Sequence, residues 1–541
     1  MSLTGIRWAG PRALLVELSD LPSVLAFHST LLAEPLPGQL DTVAAAATVL
    51  LKFGTHAEAL AARTAVGHVD LGAVPRDSSR DVTIEVVYDG EDLAEVGILT
   101  GLGRDGVVAA HTGQLWTAAF GGFAPGFTYL LGENHTLDVP RRSSPRTAVP
   151  AGSVALGGTF SAVYPRQSPG GWQLIGRTTA VLWDLGRESP ALVRPGDAVR
   201  YVAVREAVAL TPTGHAVREV TGPALVVDSP GLQSLVQDLG RPGLGDLGVS
   251  AAGAVDQQST RQANRLVGNE PGAAVVETVL GGLSVRAVGD QVVAVTGAVV
   301  PLETRDASGA PARRAAMCAP FALLDGETLS LGEPTLGARS YLAVRGGIDA
   351  DPVLGSRSSD SMSGIGPAPL SAGTRLPVGR APLFQMVGAP EESTLRLGVS
   401  SAELRITLGP RDDWFGSRAL EALTGEDWIT TVQSNRIGVR LRPGSNRALE
   451  RNPERGAGEL PSEGAVAGAL QVPPSGHPVL FLADHPVTGG YPVIAVVVPE
   501  DLPTAAQLPP GHRVRFTIVD PATLEPLESA AAGAVTEGNQ P

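Results

Sequence analysis

Lysine is almost missing from this chain: of 41 lysines and arginines only Lys52, in VLLKFG, is a lysine. A Walker A loop needs a Gly-Lys-Ser/Thr ending, and there is none. A Ser-Ser-Lys amidase and a biotin carrier each need a lysine in a suitable setting, and Lys52 sits inside a strand-like run. Any phosphate bound here must be met by arginine forks and backbone amides. Cysteine is equally scarce. Cys318 alone excludes an intramolecular disulfide and suits a reducing cytoplasm, the expected location. A net charge of -14 argues against a nucleic-acid partner. No apolar run approaches a membrane span, and MSLTGIRWAG has neither the charged nor the apolar region of a signal peptide.

Aromatic residues make up only 4% of the chain, so GGFAPGFTYL at 121–130 stands out. Its glycines and proline oppose a long helix and break a paired strand, which predicts a shaped loop running into a strand. Two explanations compete: a hydrophobic hairpin tip buried in a core, or a pocket lip walled by Phe123, Phe127 and Tyr129 around the turn Ala124-Pro125-Gly126.

A length of 541 residues predicts three or four domains. Residues 1–80 alternate strand-like RALLVEL and TVLLKF with helix-like SVLAFHSTLLAE and HAEALAARTAV, a small α/β domain. Residues 81–204 begin with the strand VTIEVVYDG and two helices, then turn to short strands between Gly/Pro turns, the pattern of a β-barrel. Residues 205–220 form a linker, 221–390 a first β-rich domain of the second half, and 391–520 a second barrel. Residues 521–541 form a disordered tail. The two halves echo one another. VRPGDAVRYVAV (193–204) matches LPPGHRVRFTIV (508–519), PGGWQLIG (169–176) matches TGGYPVIA (488–495), and AGSVAL (151–156) matches AGALQV (467–472). Three landmarks in the same order at nearly equal spacing predict two related barrels.

Most short motifs carry little. GLGRDG (101–106) and GLGDLG (243–248) fit G-x-G-x-x-G without a strand before and a helix directly after, and read as turns. His477 and His485 flank Asp484 without a third ligand, so no metal site is expected. Cys318 reads as core packing. Polar clusters in Gly/Pro-rich loops are better candidates. Arg141, Arg142 and Arg146 lie in PRRSSPRTAVP, and Arg177 follows PGGWQLIG. Asp238 and Arg241 share DLGRPG, and Asp256 leads into QQSTRQANRLVGN. Ser356 and Arg357 lie in GSRSS, and Glu459 precedes a barrel strand.

GGFAPGFTYL, PRRSSPRTAVPAGSVAL and YPRQSPGGWQLIGRT resemble the KipI family, also called allophanate hydrolase subunit 1 or the B subunit of 5-oxoprolinase. VQDLGRPGLGDLGVSAAGAVDQQSTRQANRLVGN, YLAVRGGIDADPVLGSRS and GALQVPPSGHPVLFLADHPVTGGYPVIA resemble its partner, the KipA family, or the C subunit of 5-oxoprolinase. LADHPVTGGYP departs from relatives at His485-Pro486, and YLAVRGGID and SRSSDSMSG are looser than usual. The resemblance implies a mainly β protein of tandem cyclophilin-like barrels with a small N-terminal α/β domain. It also favours the pocket-lip explanation. It implies an ATP-dependent 5-oxoprolinase that opens a lactam to L-glutamate with a separate A subunit. Phosphorylating the lactam oxygen would create a leaving group, and such a site needs arginines for phosphate and an acid for Mg²⁺. On that reading Arg146, Arg177, Asp238, Asp256 and Glu459 are the catalytic candidates. Phe123, Pro125, Gly126, Phe127, Tyr129, Arg141, Tyr164, Arg241, Ser356, Arg357, Gln471 and Tyr491 would line the substrate site. Two other readings stay open: a carboxyltransferase component acting on urea or another amide with biotin carried by a different chain, and a regulator of a histidine kinase. Assembly of identical copies is also left open.

Overall fold

The computed structural model describes residues 3–69, 80–206 and 222–527, apart from 143, 145, 446 and 457–459. The expected linker lies outside these residues from 207 onward, as does the expected tail from 528. The described start of that tail turns back, with Pro526 bridged to Val519.

The fold is mainly β. Four antiparallel strands, Leu3–Trp8, Ala13–Leu18, Thr48–Phe53 and Gln39–Ala44, make the N-terminal sheet, covered by helices Leu21–Ala33 and His56–Ala65. Asp20 caps the first helix through the Ser23 amide, and Thr55 and Glu58 form a capping box on the second. The outer strands Leu3–Trp8 and Gln39–Ala44 carry Gly5, Arg7, Gln39 and Asp41. Their sequences therefore lack the apolar run that makes the two central strands legible.

The first barrel is a seven-stranded sheet that begins with Asp81–Val86 and ends with Ala198–Ala203. An isolated pairing of Val87 with Arg177 joins its two edges. The second barrel is closed and runs from Ser401–Leu408 to Arg513–Ile518. In both, the first and last strands pair in parallel. The three repeated landmarks fall on equivalent strands. Ser153–Gly157 pairs with Gln173–Arg177 as Ala469–Gln471 pairs with Val493–Val497. Between the barrels, two five-stranded sheets share one core that draws on Val227, Val285 and Leu329 from one sheet and Val276, Val295 and Leu342 from the other. Helix Gln257–Leu266 packs on the second of these sheets through Ala263 and Leu266.

The hairpin at 121–130 differs from expectation. Pro125 and Gly126 lie inside the strand Ala124–Gly132, and only Phe123, at φ 57°, makes the reversal. The ladder jumps from Gly121–Thr128 to Gly122–Ala124, so Pro125 has no strand partner to deprive of a hydrogen bond. Gly126 takes φ 78°, where a Cβ would lie 3.0 Å from the Leu182 carbonyl.

Candidate functional site

The aromatic segment is a packed junction and not an open lip. Phe127 and Tyr129 are 3% and 7% exposed and share a core with Leu14, Val16 and Leu51 of the N-terminal sheet. Edge-to-face contacts join Phe127 to Tyr129, Tyr164 and Trp172 at 5.2–5.6 Å. Alternation along Ala124–Gly132 and a bulge between Ala118 and Phe120 explain the arrangement. Phe120, Phe127 and Tyr129 point outward from the first barrel onto the N-terminal domain, while Ala118 and Leu130 point into the barrel's own core. The tip of the hairpin meets the second barrel. The Phe123 amide donates to Thr488 Oγ1 at 3.2 Å, and Ser462 stands at the Tyr129 hydroxyl. Gln471 holds the same region by donating to the Tyr491 carbonyl, while Tyr491 itself stays 46% exposed. Phe123, Tyr129, Gln471 and Tyr491 are thus gathered at one seam between the barrels. Glu459 falls just outside the described residues.

The arginines beside this seam are already engaged. Asp92, in the loop before helix Leu93–Leu99, accepts from Arg142 Nη1 at 2.6 Å, Arg146 Nη2 at 2.9 Å and the Leu174 amide at 2.7 Å. Burial works against its charge, but Arg146, the Leu174 amide and Arg142 hold Asp92 below the ordinary carboxylate range. Arg146 also reaches Glu91 at 3.1 Å, and Arg177 pairs with Asp89 at 2.8 Å. Arg141 is exposed and lies over the Trp172 ring at 5.9 Å. Because Asp92 titrates lower folded than unfolded, its contribution is present above about pH 4 and lost as pH falls through the folded value. Asp92→Asn is expected to cost about 1–3 kcal/mol at pH 7 in urea unfolding. The difference from the parent should close below about pH 4, and a pH-independent gap would refute this assignment.

A second group lies in the C-terminal half. Asp238 accepts from Gly240 N, Ser356 Oγ, Ser358 Oγ and Arg357 N at 2.5–2.8 Å, and so fastens the GSRSS turn. Asp256 caps helix Gln257–Leu266 through the Ser259 amide and also accepts from Gln507, while burial lifts its carboxyl above the usual range. Arg241 is buried and donates to the Val353 carbonyl at 3.3 Å and to that of Ser358. Arg357 is half-buried and donates to the Ala350 carbonyl.

An ATP–Mg²⁺ site needs arginine forks and a carboxylate with open lone pairs. Arg142, Arg146 and Arg177 are committed to Asp92, Glu91 and Asp89, Asp238 is saturated by four donors, and Asp256 is a helix cap. The described candidates therefore do not fit a magnesium triphosphate. Among the described residues no group of three or more His, Cys, Asp or Glu is arranged to hold a metal ion. His485 is buried, stacked on Phe481 at 5.7 Å, and burial lowers it to about 4.

Sequence reasoning misses the residues that join the halves. Asp484 accepts from Arg436 Nη2 at 2.7 Å and from Ser361 Oγ at 2.5 Å, and Arg436 also donates to Glu277. Arg411 bridges Glu17 of the N-terminal sheet, at 2.5 Å, and Glu463. In the sequence Asp484 stands out only as a neighbour of two histidines, and none of the other partners lies at a local spacing that would mark it. The segment 484–491 takes part in contacts on both sides. Asp484 serves the C-terminal cluster and Thr488 serves the aromatic hairpin.

Comparison with known proteins agrees with this two-part architecture. The carboxyltransferase domain family, subdomains A and B, matches residues 247–518, half of the chain, and the chain belongs to it. The carboxyltransferase family of subdomains C and D matches residues 4–193. The chain is 37% identical over 289 residues to the C subunit of Escherichia coli 5-oxoprolinase, covering 53% of this chain and 88% of that one. It is 48% identical over 133 residues to the B subunit of Escherichia coli 5-oxoprolinase, covering 24% of this chain and 61% of that one. The crystal structure of TTHA0988 aligns over 94% of this chain and 100% of its own, with TM-score 0.80 and 34% identity. The chain is thus a fused KipI–KipA-type protein with cyclophilin-like, carboxyltransferase-type folds.

Proposed function

We propose that this chain supplies the B and C components of an ATP-dependent 5-oxoprolinase, opening the lactam of 5-oxoproline to L-glutamate together with a separate A-type subunit. The observation that carries the reading is similarity to the B component and then to the C component in one chain, extending over 88% of the latter. In the reaction the lactam C–N bond breaks, the carbonyl carbon gains the oxygen of water and the ring nitrogen becomes the amine of glutamate, with ATP hydrolysis driving the opening. No nucleotide step is placed on this chain, because Arg142, Arg146, Arg177, Asp238 and Asp256 already have partners within the fold. The seam between the barrels, with Tyr129, Gln471, Tyr491 and the loop 484–491, is the region proposed to act in this chemistry. The carboxyltransferase description of the family supports a second reading, amide carboxylation with biotin carried elsewhere.

The test is glutamate release from 5-oxoproline and Mg-ATP, with and without an A-type subunit. Release that needs both proteins and ATP is expected. No release with a partner verified as active with its own B and C components sinks the proposal and moves the test to carboxybiotin and urea.

A further inference from the structure

We propose that Arg166 and Arg241, one from each half of the chain, form a subsite for the carboxylate of a small organic acid. This rests on the 5-oxoprolinase reading only in the choice of acid, since 5-oxoproline and its product both carry a carboxylate.

The guanidinium of Arg166, in YPRQSPGG of the first barrel, has no hydrogen-bond or ion-pair partner among the described residues, and its Nε is buried without one. A Cβ placed on Gly364 would lie 3.7 Å from Arg166 Nη1, so the guanidinium stands over the 361–364 turn of the other half. Arg241 reaches the same segment from inside, donating to the Ser358 carbonyl. It is 2% exposed and its Nη1 is buried unpaired. Both arginines feel the carboxylate of Asp360 but neither pairs with it. Asp360 is instead held by the Met362 and Ser363 amides at 2.8 and 3.0 Å. Elsewhere at the seams Arg411, Arg436 and Arg146 each hold a carboxylate directly. Two cations turned toward one turn, each with an unused donor, suit a planar ligand that accepts from both.

The acids around the turn favour a monoanion. Asp238, Asp360 and Asp484 are all buried and act electrostatically on Arg241, so a phosphate dianion would face more repulsion there than a single carboxylate. Ser361 and Gly364 are exposed, so the subsite opens to solvent at the turn.

The test is calorimetric titration of the full chain with 5-oxoproline, with 2-pyrrolidinone (the same lactam without the carboxylate) and with inorganic phosphate. Arg166→Gln lies at the half-open rim, and Arg241→Lys keeps the buried charge as a second variant; thermal melts confirm that each folds. The parent should bind 5-oxoproline, and Arg166→Gln about tenfold to hundredfold more weakly, the worth of a hydrogen bond to a charged group. Binding of 2-pyrrolidinone should be at least as weak as that of the variant. Equal binding of the two lactams, unchanged binding in both folded variants, no binding by the parent, or binding of phosphate alone each overturns the subsite. Glutamate release with the A-type subunit is measured in parallel. Release by an Arg166→Gln protein with unaltered KM removes the subsite and keeps the oxoprolinase reading. Carboxylate-dependent binding without release does the reverse.

Discussion

Replacing Arg436 with methionine is expected to destabilise the protein by about 3–5 kcal/mol at pH 8, read as a lowered unfolding midpoint. Arg436 is 2% exposed and is held by Asp484 of its own barrel, Glu277 of the central sheets and the Gly253 carbonyl. Burial alone would favour losing its proton, yet the two carboxylates raise its pKa above the ordinary guanidinium value. Methionine fills most of the volume but leaves Asp484 buried without its cation and Glu277 with only Arg339, 4.0 Å away, and two like charges in a low-dielectric site are costly. Unpaired buried carboxylates titrate higher folded than unfolded, so the variant is penalised most above their folded values and recovers as acid protonates them. The gap between variant and parent should narrow from pH 8 toward pH 5. A gap that is constant with pH, or smaller than about 1 kcal/mol, would mean the charges find water or another donor.

The second large effect is expected at Arg411. Its guanidinium bonds both oxygens of Glu463 at 2.9 Å through Nε and reaches Glu17 through Nη1. Burial lifts Glu463 above the usual carboxylate range even with Arg411 against it. Glu17 is less enclosed, and Arg411 with Arg7 overcomes its burial and holds it below that range. Arg411→Met therefore leaves one deeply buried acid unpaired and one partly compensated by Arg7, 3.1 Å away. The expected loss is about 3 kcal/mol, the low end for breaking a buried pair. Hydrogen exchange should quicken in Ala13–Leu18 as well as around Glu463, because the bond ties the N-terminal sheet to the second barrel. Quickening confined to the second barrel would show that this tie does not hold the halves together.

Local pattern makes the barrels legible. Each repeated landmark couples a glycine turn, Pro-Gly, Gly-Gly or Ala-Gly, to a short strand, and both signals lie within a dozen residues. The two central N-terminal strands are legible for the same reason, and so is the turn between helices Leu93–Leu99 and Gly103–Thr112, although only Gly101 and Leu102 of GLGRDG lie before the second helix, which the rest of the motif opens. The seams are not. Arg411 and Glu17 are 394 positions apart, and Arg436 and Glu277 are 159 apart. No spacing rule links such residues, because the tertiary fold alone brings them together. The aromatic segment misleads for a related reason. A lip and a two-sided core have the same composition, and only the N-terminal domain lying over Phe127 and Tyr129 distinguishes them. The clustered arginines draw attention as ligand forks, yet Asp92, which takes up two of them, sits 50 and 54 positions upstream in an unremarkable loop.

The parallel pairing of first and last strands fixes how each barrel can be threaded. A chain that rises along Ser401–Leu408 and leaves along Arg513–Ile518 exits at the opposite end from where it came in. Six residues of strand span about 20 Å, so the two ends of one barrel cannot be joined by a tight turn. A circularly permuted barrel would need a new bridge of at least about six or seven extended residues laid along its outer wall. Each unit is therefore an in-line bead, readily fused head to tail with another and resistant to being cut open and rejoined.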